Sequence, residues 1–293
     1  MSEEAGTAHH TILCDTPALV ENLLASLHAY DLPTFGQAMT SLYLLFRAIK
    51  QGATVALSGE SADEFFGGYH WLHRDVDLNT PTFPWLLAFL GPGKNPLSWL
   101  SAELIQQVQP TEHIQQQYQQ AIAEVPRLAG EDARASRIRE LFYLTLTHFL
   151  PIMLDRKDRM SMATGLEVRV PFCDYRLVEY VWNIPLEMKT VDALEKGILR
   201  RALMNVLPED VRLRKKSAYP SAHSPAYEEA TRQWARAILN DTNAPIQPLL
   251  DARVVQAAVE TSEAPPAAIF VSWWERIIHI NEWLKTYQVS LAL

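Results

Sequence analysis

The stretch from Val55 to Tyr69, VALSGESADEFFGGY, decides how this chain is interpreted. The run from Thr54 to Leu57 predicts a short buried strand, which ends in a turn of small residues. Three carboxylates follow at close spacing, Glu60, Asp63 and Glu64. Open α/β sheets bind ligands beyond the carboxyl ends of their strands, where carboxylates can hold a hard cation or accept a proton. The stretch therefore predicts a site, although a plain strand-to-helix connection with Asp63 and Glu64 as helix caps and Glu60 solvated is the structural alternative.

The residues around this stretch predict an α/β fold. Thr11–Cys14 predicts a first strand, and helices are predicted over about Pro17–Tyr30, with Asp15 or Thr16 as N-cap, and over Gln37–Gln51. This β-α-α-β order favours a parallel sheet. Helical periodicity then recurs at Ser101–Val125 with a break at Pro110, Asp132–Leu150, Tyr175–Trp182, Leu194–Leu207, Ala226–Leu239, Asp251–Val259 and Ala267–Tyr287. We predict an incomplete parallel sheet flanked by helices over residues 1–70, and a mostly helical region over residues 71–293.

Composition excludes several classes of protein. The chain has 293 residues, 48% of them hydrophobic, and a formal net charge of -8, which argues against nucleic-acid binding. The sequence contains no run of eighteen apolar residues, so no membrane span is predicted. The polar start, MSEEAGTAHH, does not resemble a signal peptide. With only Cys14 and Cys173, neither disulfides nor a zinc site are expected. The length allows one large domain or two small ones, and we expect the protein to be cytoplasmic.

Three later segments carry unusual charge patterns. The first is residues 154–174, LDRKDRMSMATGLEVRVPFCD, in which Glu167 and Arg169 fall on one side of an extended segment. This composition is equally consistent with a structural ion-pair network and with a substrate site. Residues 194–201, LEKGILRR, form a basic helix start that proves nothing alone. Residues 211–220, VRLRKKSAYP, place four cations within five residues, as a solvated turn or as a loop that meets a polyphosphate.

Together these segments resemble the C-terminal synthetase domain of glutamine-dependent asparagine synthetases, in the N-type ATP pyrophosphatase family. The resemblance extends over nearly the whole chain and implies an adenine-nucleotide α-hydrolase-like fold. Its motifs stand in the family's order: SGE-x-x-DE-x-FGGY at 58–69, RKDRMSMATGLEVRVPFCD at 156–174, LEKGILRRAL at 194–203 and RLRKKSAYP at 212–220. Such enzymes activate aspartate with ATP to β-aspartyl-AMP, which ammonia released from glutamine converts to asparagine.

The resemblance also implies residue roles. Ser58 and Gly59 would contact ATP, and Asp63 would ligate Mg²⁺ between the phosphates. Glu60 would take a proton from the attacking ammonia, and Lys216 would neutralise phosphate charge. The segment that shapes the aspartate pocket contributes Arg156, Asp158 and Glu167.

Two family features are not found in this chain: the glutaminase domain with its N-terminal cysteine, and the SGGxDS phosphate loop. The resemblance therefore suggests the C-terminal part of a larger synthetase, and a truncated gene, a late start codon and one half of a split protein are the alternatives. In the last case a separate chain would supply the glutaminase domain and the SGGxDS loop. The isolated chain is not expected to make asparagine. Two alternatives stay open, a β-lactam-synthetase-like amide-forming ligase and a non-catalytic remnant or partner of a full-length synthetase.

Overall fold

The N-terminal helices follow from local capping signals. The computed structural model describes residues 4–33, 37–74, 78–86, 95, 97–217, 224–261 and 272–291. Asp15 caps the first helix, because its side chain accepts a hydrogen bond from the Ala18 amide at 3.0 Å. The single helix predicted before residue 30 is two helices, because the chain leaves helical geometry at Asn22. The first three helices are α1 (Thr16–Glu21), α2 (Leu23–Tyr30) and α3 (Gln37–Lys50).

The strand predicted at Thr11–Cys14 is wrong. These residues belong to no strand of the described structure, and 82% of the Leu13 surface is exposed. A strand is stable only when its backbone groups pair and one face is covered, so apolar and β-branched composition alone does not create one.

The predicted parallel sheet is confirmed in the described residues by β1 (Val55–Leu57) and β2 (Glu167–Arg169). Val55 pairs with Glu167 and Leu57 with Arg169. The inward residues, Ala56 and Val168, pack on a cluster built from α2, α3 and the end of the later helix that precedes β2. The prediction that this strand is buried is wrong for the face of β1 that carries Leu57, because 74% of the Leu57 surface is exposed. Alternation of side chains puts Val55 and Leu57 on the face that this cluster does not cover.

The rest of the described chain is mostly helical, as predicted. Its helices are α4 (Ala62–Phe66), α5 (Ala102–Val108), α6 (Pro110–Ala123), α7 (Ala133–Leu144), α8 (Leu150–Met162), α9 (Tyr175–Trp182), α10 (Leu186–Lys189), α11 (Gly197–Ala202), α12 (Glu209–Arg212), α13 (Pro225–Asn240), α14 (Ala252–Thr261) and α15 (Trp273–Thr286). Among these helices, none is long and apolar enough to cross a bilayer.

Helix boundaries differ from the predictions where the backbone departs from α geometry. A π-helical turn, Thr145–Phe149, joins α7 to α8 into one longer rod. The helix predicted from Leu194 begins only at Gly197, because Lys196 has a left-handed backbone with φ of 55°. The last helix begins at Trp273 after a capping box, and the part predicted over residues 267–271 lies outside the described residues.

The helical region is held by two large apolar cores. The final helix, α15, packs its buried Trp273, Trp274, Ile277 and Ile278 against α13, which confirms that this aromatic stripe is core. A second core, around Trp71, includes residues of α6, α7 and the π-helical turn. It anchors the segment that follows the motif at residues 58–69, so the site is attached to a rigid helical support.

Candidate active site

The turn after β1 is tied to both β2 and α8. The Ser58 amide donates to the Arg169 carbonyl at 2.9 Å, and the Ser58 hydroxyl accepts from Lys157 Nζ at 2.6 Å. Ser61, at the start of α4, is buried and has φ of 79°, a conformation that non-glycine residues seldom adopt. Its hydroxyl lies 2.9 Å from Cys173 Sγ. Strained backbone held in place by its surroundings is common at functional sites.

Glu60 is enclosed by cations of α8. Lys157 Nζ lies 2.5 Å from Glu60 Oε2, and Arg156 Nη2 lies 3.8 Å from Oε1. The Nε of Arg156 is buried and has no hydrogen-bond partner among the residues that the structure describes, so this guanidinium has a donor left over beside Glu60. The structure therefore places a carboxylate and an under-used arginine together at the strand end.

Asp63 joins the turn to two distant lysines. Lys196 Nζ lies 2.6 Å from Asp63 Oδ1 and Lys216 Nζ lies 3.1 Å from Oδ2. The neighbouring Gly68 is required at its position, since a Cβ there would overlap the Asp63 carboxylate. Asp63 lies in the first turn of α4, as expected if the stretch were a plain strand-to-helix connection. Its carboxylate, however, forms ion pairs with both lysines.

Lys216 rests on a tyrosine. Its ammonium lies 4.2 Å from the centre of the Tyr69 ring and donates to the Gly68 carbonyl at 3.1 Å. The Tyr69 hydroxyl donates to Glu64 Oε1 at 2.7 Å. Burial raises the pKa of the Glu64 carboxyl, and burial together with the nearby Glu64 charge raises the pKa of Tyr69. Glu64, the third carboxylate of the motif, thus holds the Tyr69 ring that contacts Lys216.

Arg200 fixes the basic segment that carries Lys216. Its guanidinium donates to three backbone carbonyls: Nε to Glu195 at 2.8 Å, Nη2 to Arg214 at 3.1 Å, and Nη1 to Arg212. These bonds tie the end of α12 to α11. The basic segment is therefore attached to the fold close to Lys216.

A cleft of about 350 Å³ opens beside Asp63 and is strongly basic. The charged residues that line it in the described structure are one carboxylate, Asp63, and six cationic side chains, Lys196, Arg200, Arg212, Arg214, Lys215 and Lys216. This excess of cations over carboxylates suits the binding of a polyphosphate, because each phosphate oxygen can pair with an ammonium or guanidinium group. The donor set also suits Mg²⁺ bound with a nucleotide, since that ion needs only one or two protein carboxylates beside the phosphates.

The structure brings most of the predicted site residues together, but not all. Ser58, Glu60 and Arg156 meet at the strand end, and Asp63 meets Lys216 a helical turn further on. Gly59 lies between them in the chain.

Two predicted residues lie elsewhere. Asp158 has an exposed side chain on α8. Glu167 pairs with Arg169 at 2.7 Å, and its register opposite Val55 puts it at the end of β1 away from Ser58. Neither has an ion pair or side-chain hydrogen bond with Glu60 or Asp63 in the described structure.

Four residues that contribute to the site were not predicted from the sequence: Lys157, Lys196, Arg200 and Tyr69. All of them stand inside the quoted motifs, so motif membership was a usable signal. The sequence could not show which way each side chain is oriented, because charged residues next to one another on a helix point to different neighbours.

Comparison with known proteins gives consistent matches. A family model described as asparagine synthase matches residues 1–285. The glutamine-hydrolysing asparagine synthetase 3 of Bacillus subtilis is 38% identical over 99% of this chain and 48% of the relative. Asparagine synthetase 1 of the same organism is 27% identical over 73% of the chain and 38% of the relative, and the Homo sapiens enzyme is 24% identical over 75% and 30%. The chain spans half or less of the length of these curated relatives.

Proposed function

The chain belongs to the asparagine synthase family, and we propose that it provides the synthetase site that activates aspartate with ATP and converts β-aspartyl-AMP to asparagine. The observation that carries this proposal is the convergence of Glu60 and Asp63 with lysines from α8, from the α11 start and from the basic segment. Adenylation of a carboxylate brings together several negative charges, and such a cluster would stabilise them in the transition state.

The phosphates of ATP would occupy the basic cleft. Lys196 and Lys216 each neutralise one oxygen of Asp63, so an incoming polyphosphate can take over both ammonium groups. The Asp63 carboxylate, released from them, would then hold Mg²⁺ with the phosphates. That ion supplies charge neutralisation, while Ser58 and Gly59 would contact the nucleotide at the strand end. The buried Nε donor of Arg156, which has no partner in the described part of the chain, is suited to a second anion, the aspartate carboxylate.

Glu60 would act as the base toward ammonia. Proton removal needs a carboxylate held within hydrogen-bond reach of the attacking nitrogen. The 2.5 Å contact with Lys157 fixes the Glu60 carboxylate at the strand end. We assign Asp158 and Glu167 to the aspartate pocket only through the family motif, since their side chains point elsewhere. The ammonia would come from glutamine hydrolysed in a further domain or chain, and we place the reaction in the cytoplasm.

The β-lactam-synthetase alternative relies on a tyrosine–glutamate pair that deprotonates an amine. The cluster contains such a pair, Tyr69 and Glu64. However, Glu64 is only 1% exposed and the Tyr69 ring faces Lys216, while the raised pKa of Tyr69 opposes its deprotonation. The aspartate reaction is therefore the better supported of the two.

A fusion experiment tests the proposal. The part of the B. subtilis relative that this chain does not match would be placed ahead of residue 1, and aspartate-dependent ATP–pyrophosphate exchange would be measured. We expect exchange with aspartate and little with β-amino acids, and loss of asparagine formation in Glu60→Gln. A folded fusion without exchange, beside an active intact relative, would leave the non-catalytic alternative as the better description.

A further inference from the structure

A second pocket, of about 370 Å³, lies between α7 and the segment that runs from α9 to the end of α10. The described residues that line it are all different from those that line the basic cleft beside Asp63. Its apolar walls include Ile138, Phe142, Trp182, Ile184 and Leu186. A volume of this size is within the range of pockets that bind small ligands.

Lys189, the last residue of α10, lines this pocket with a buried side chain that is only 2% exposed. Its ammonium lies 4.0 Å from the centre of the Phe142 ring. Across the described parts of the chain, no carboxylate lies within salt-bridge distance of the Lys189 ammonium. Desolvation lowers its pKa to about 8. The pocket thus contains a cation taken out of water without a counter-ion, an arrangement that folded proteins normally avoid.

We propose that this pocket binds a small monocarboxylate with an apolar body, whose carboxylate pairs with the Lys189 ammonium. The apolar walls would cover the apolar body of the ligand, while its carboxylate would supply the negative counter-charge that the Lys189 ammonium lacks. Lys189 is the one buried cation of the described lining, so it can neutralise a single negative charge. The remaining charged lining residues are three carboxylates and two guanidinium groups, Glu131, Asp132, Glu187, Arg134 and Arg139, and Arg139 is paired with Glu131 at 2.9 Å. Because these carboxylates offset the two arginines, a multiply charged anion such as a phosphate would meet no excess of positive charge beyond Lys189.

Benzoate and isovalerate, two carboxylates with compact apolar bodies, test the proposal on the full chain. Titration calorimetry and thermal unfolding would be compared for the unsubstituted protein, Lys189→Met and Lys285→Met, at constant ionic strength. Lys285 is exposed on α15 and serves as the matched control. Lys189→Met should fold, since methionine keeps the unbranched shape and most of the length of the lysine side chain and removes the unpaired charge. Lys189→Leu is the second variant for the case in which it does not.

We expect at least one of the two carboxylates to bind saturably and to raise the melting temperature of the unsubstituted protein and of Lys285→Met. Loss of the Lys189 ammonium should weaken binding by about tenfold or more, the usual effect of removing a charge-assisted hydrogen bond. Benzyl alcohol, which lacks the charge, should bind all three proteins alike. Equal carboxylate binding by Lys189→Met, or no saturable binding of either carboxylate, would overturn the proposal. Neither result depends on synthetase activity.

Discussion

The Lys216 ammonium lies 3.1 Å from Oδ2 of Asp63, so the basic segment late in the chain is joined directly to the acidic turn that follows β1. Lys196 holds the other oxygen of the same carboxylate at 2.6 Å. Two ammonium groups on one carboxylate leave an excess of positive charge at the mouth of the cleft. This pairing joins two motifs that are remote in sequence, so the position of the Lys216 ammonium depends on Asp63.

Replacing Lys216 with methionine should impair catalysis more than folding. In the fusion protein, we expect aspartate-dependent pyrophosphate exchange to fall by roughly 10²- to 10³-fold, the range for loss of one preorganised electrostatic group. The matched control is Lys215→Met, which removes the adjacent cation that has no ion pair with Asp63 in the described structure. Exchange rates and the urea midpoint would be measured for both. A similar loss in the two variants would show that net charge, not the Asp63–Lys216 position, matters.

Arg200 should act as a positioning residue for Lys216. Arg200→Lys removes the fork that binds the Arg212 and Arg214 carbonyls, so the basic segment should lose its fixed position. We expect kcat of the fusion protein to fall roughly tenfold or more, because small displacements of a catalytic group are costly. Arg201→Lys, the neighbouring arginine that pairs with exposed Asp192, is the control.

A purely structural role for Arg200 would reduce stability while kcat of the remaining folded enzyme stayed unchanged. Steady-state kinetics at saturating ATP, corrected for the folded fraction by circular dichroism, separate the two cases.

Gly68→Ala should destabilise the acidic turn. A Cβ at this position would overlap the Asp63 carboxylate and approach its backbone, so the turn must shift. We expect a loss of about 1–3 kcal/mol in unfolding free energy, as for other overpacking substitutions. Gly52→Ala is the control, because a Cβ at Gly52 meets no atom within 4 Å. Urea denaturation of the two variants measures the difference, and equal stabilities would contradict the tight approach of Gly68 to Asp63.

The burial of Lys189 should make stability depend on pH in the alkaline range. Its pKa is about 8 in the folded chain against 10.5 for an ordinary lysine, so between these values the unfolded state holds a proton that the folded state has released. Unfolding free energy should therefore rise with pH in that window, recovering roughly 3 kcal/mol that the buried charge costs below it.

Lys189→Met should lack this rise and should be more stable than the unsubstituted protein at neutral pH. The other charged residues of the pocket are the same in both proteins: Glu131, Asp132, Arg134, Arg139 and Glu187. The difference in urea denaturation between the two proteins at each pH therefore isolates Lys189. Parallel pH profiles would mean that the Lys189 ammonium is not desolvated.

The amino-acid sequence determined the elements whose signals are local. The break at Pro110, the extent of α9 and the apolar stripe of α15 follow from neighbouring residues and were predicted, and Asp15 is one of the two N-caps predicted for α1. The motif at residues 58–69 was likewise recognisable, because its small residues and acids stand together in the chain. Family membership rests on the same local patterns.

Tertiary structure decided which of the charged residues face one another. Lys157 and Asp158 are adjacent on α8, yet one side chain reaches Glu60 and the other is exposed, because neighbours on a helix point about 100° apart. Thr11–Cys14 has the composition of a strand but pairs with no described strand, and Leu57 has a strand's backbone but an exposed side chain. Pairing and burial depend on residues far away in the chain, so no local pattern could have fixed them.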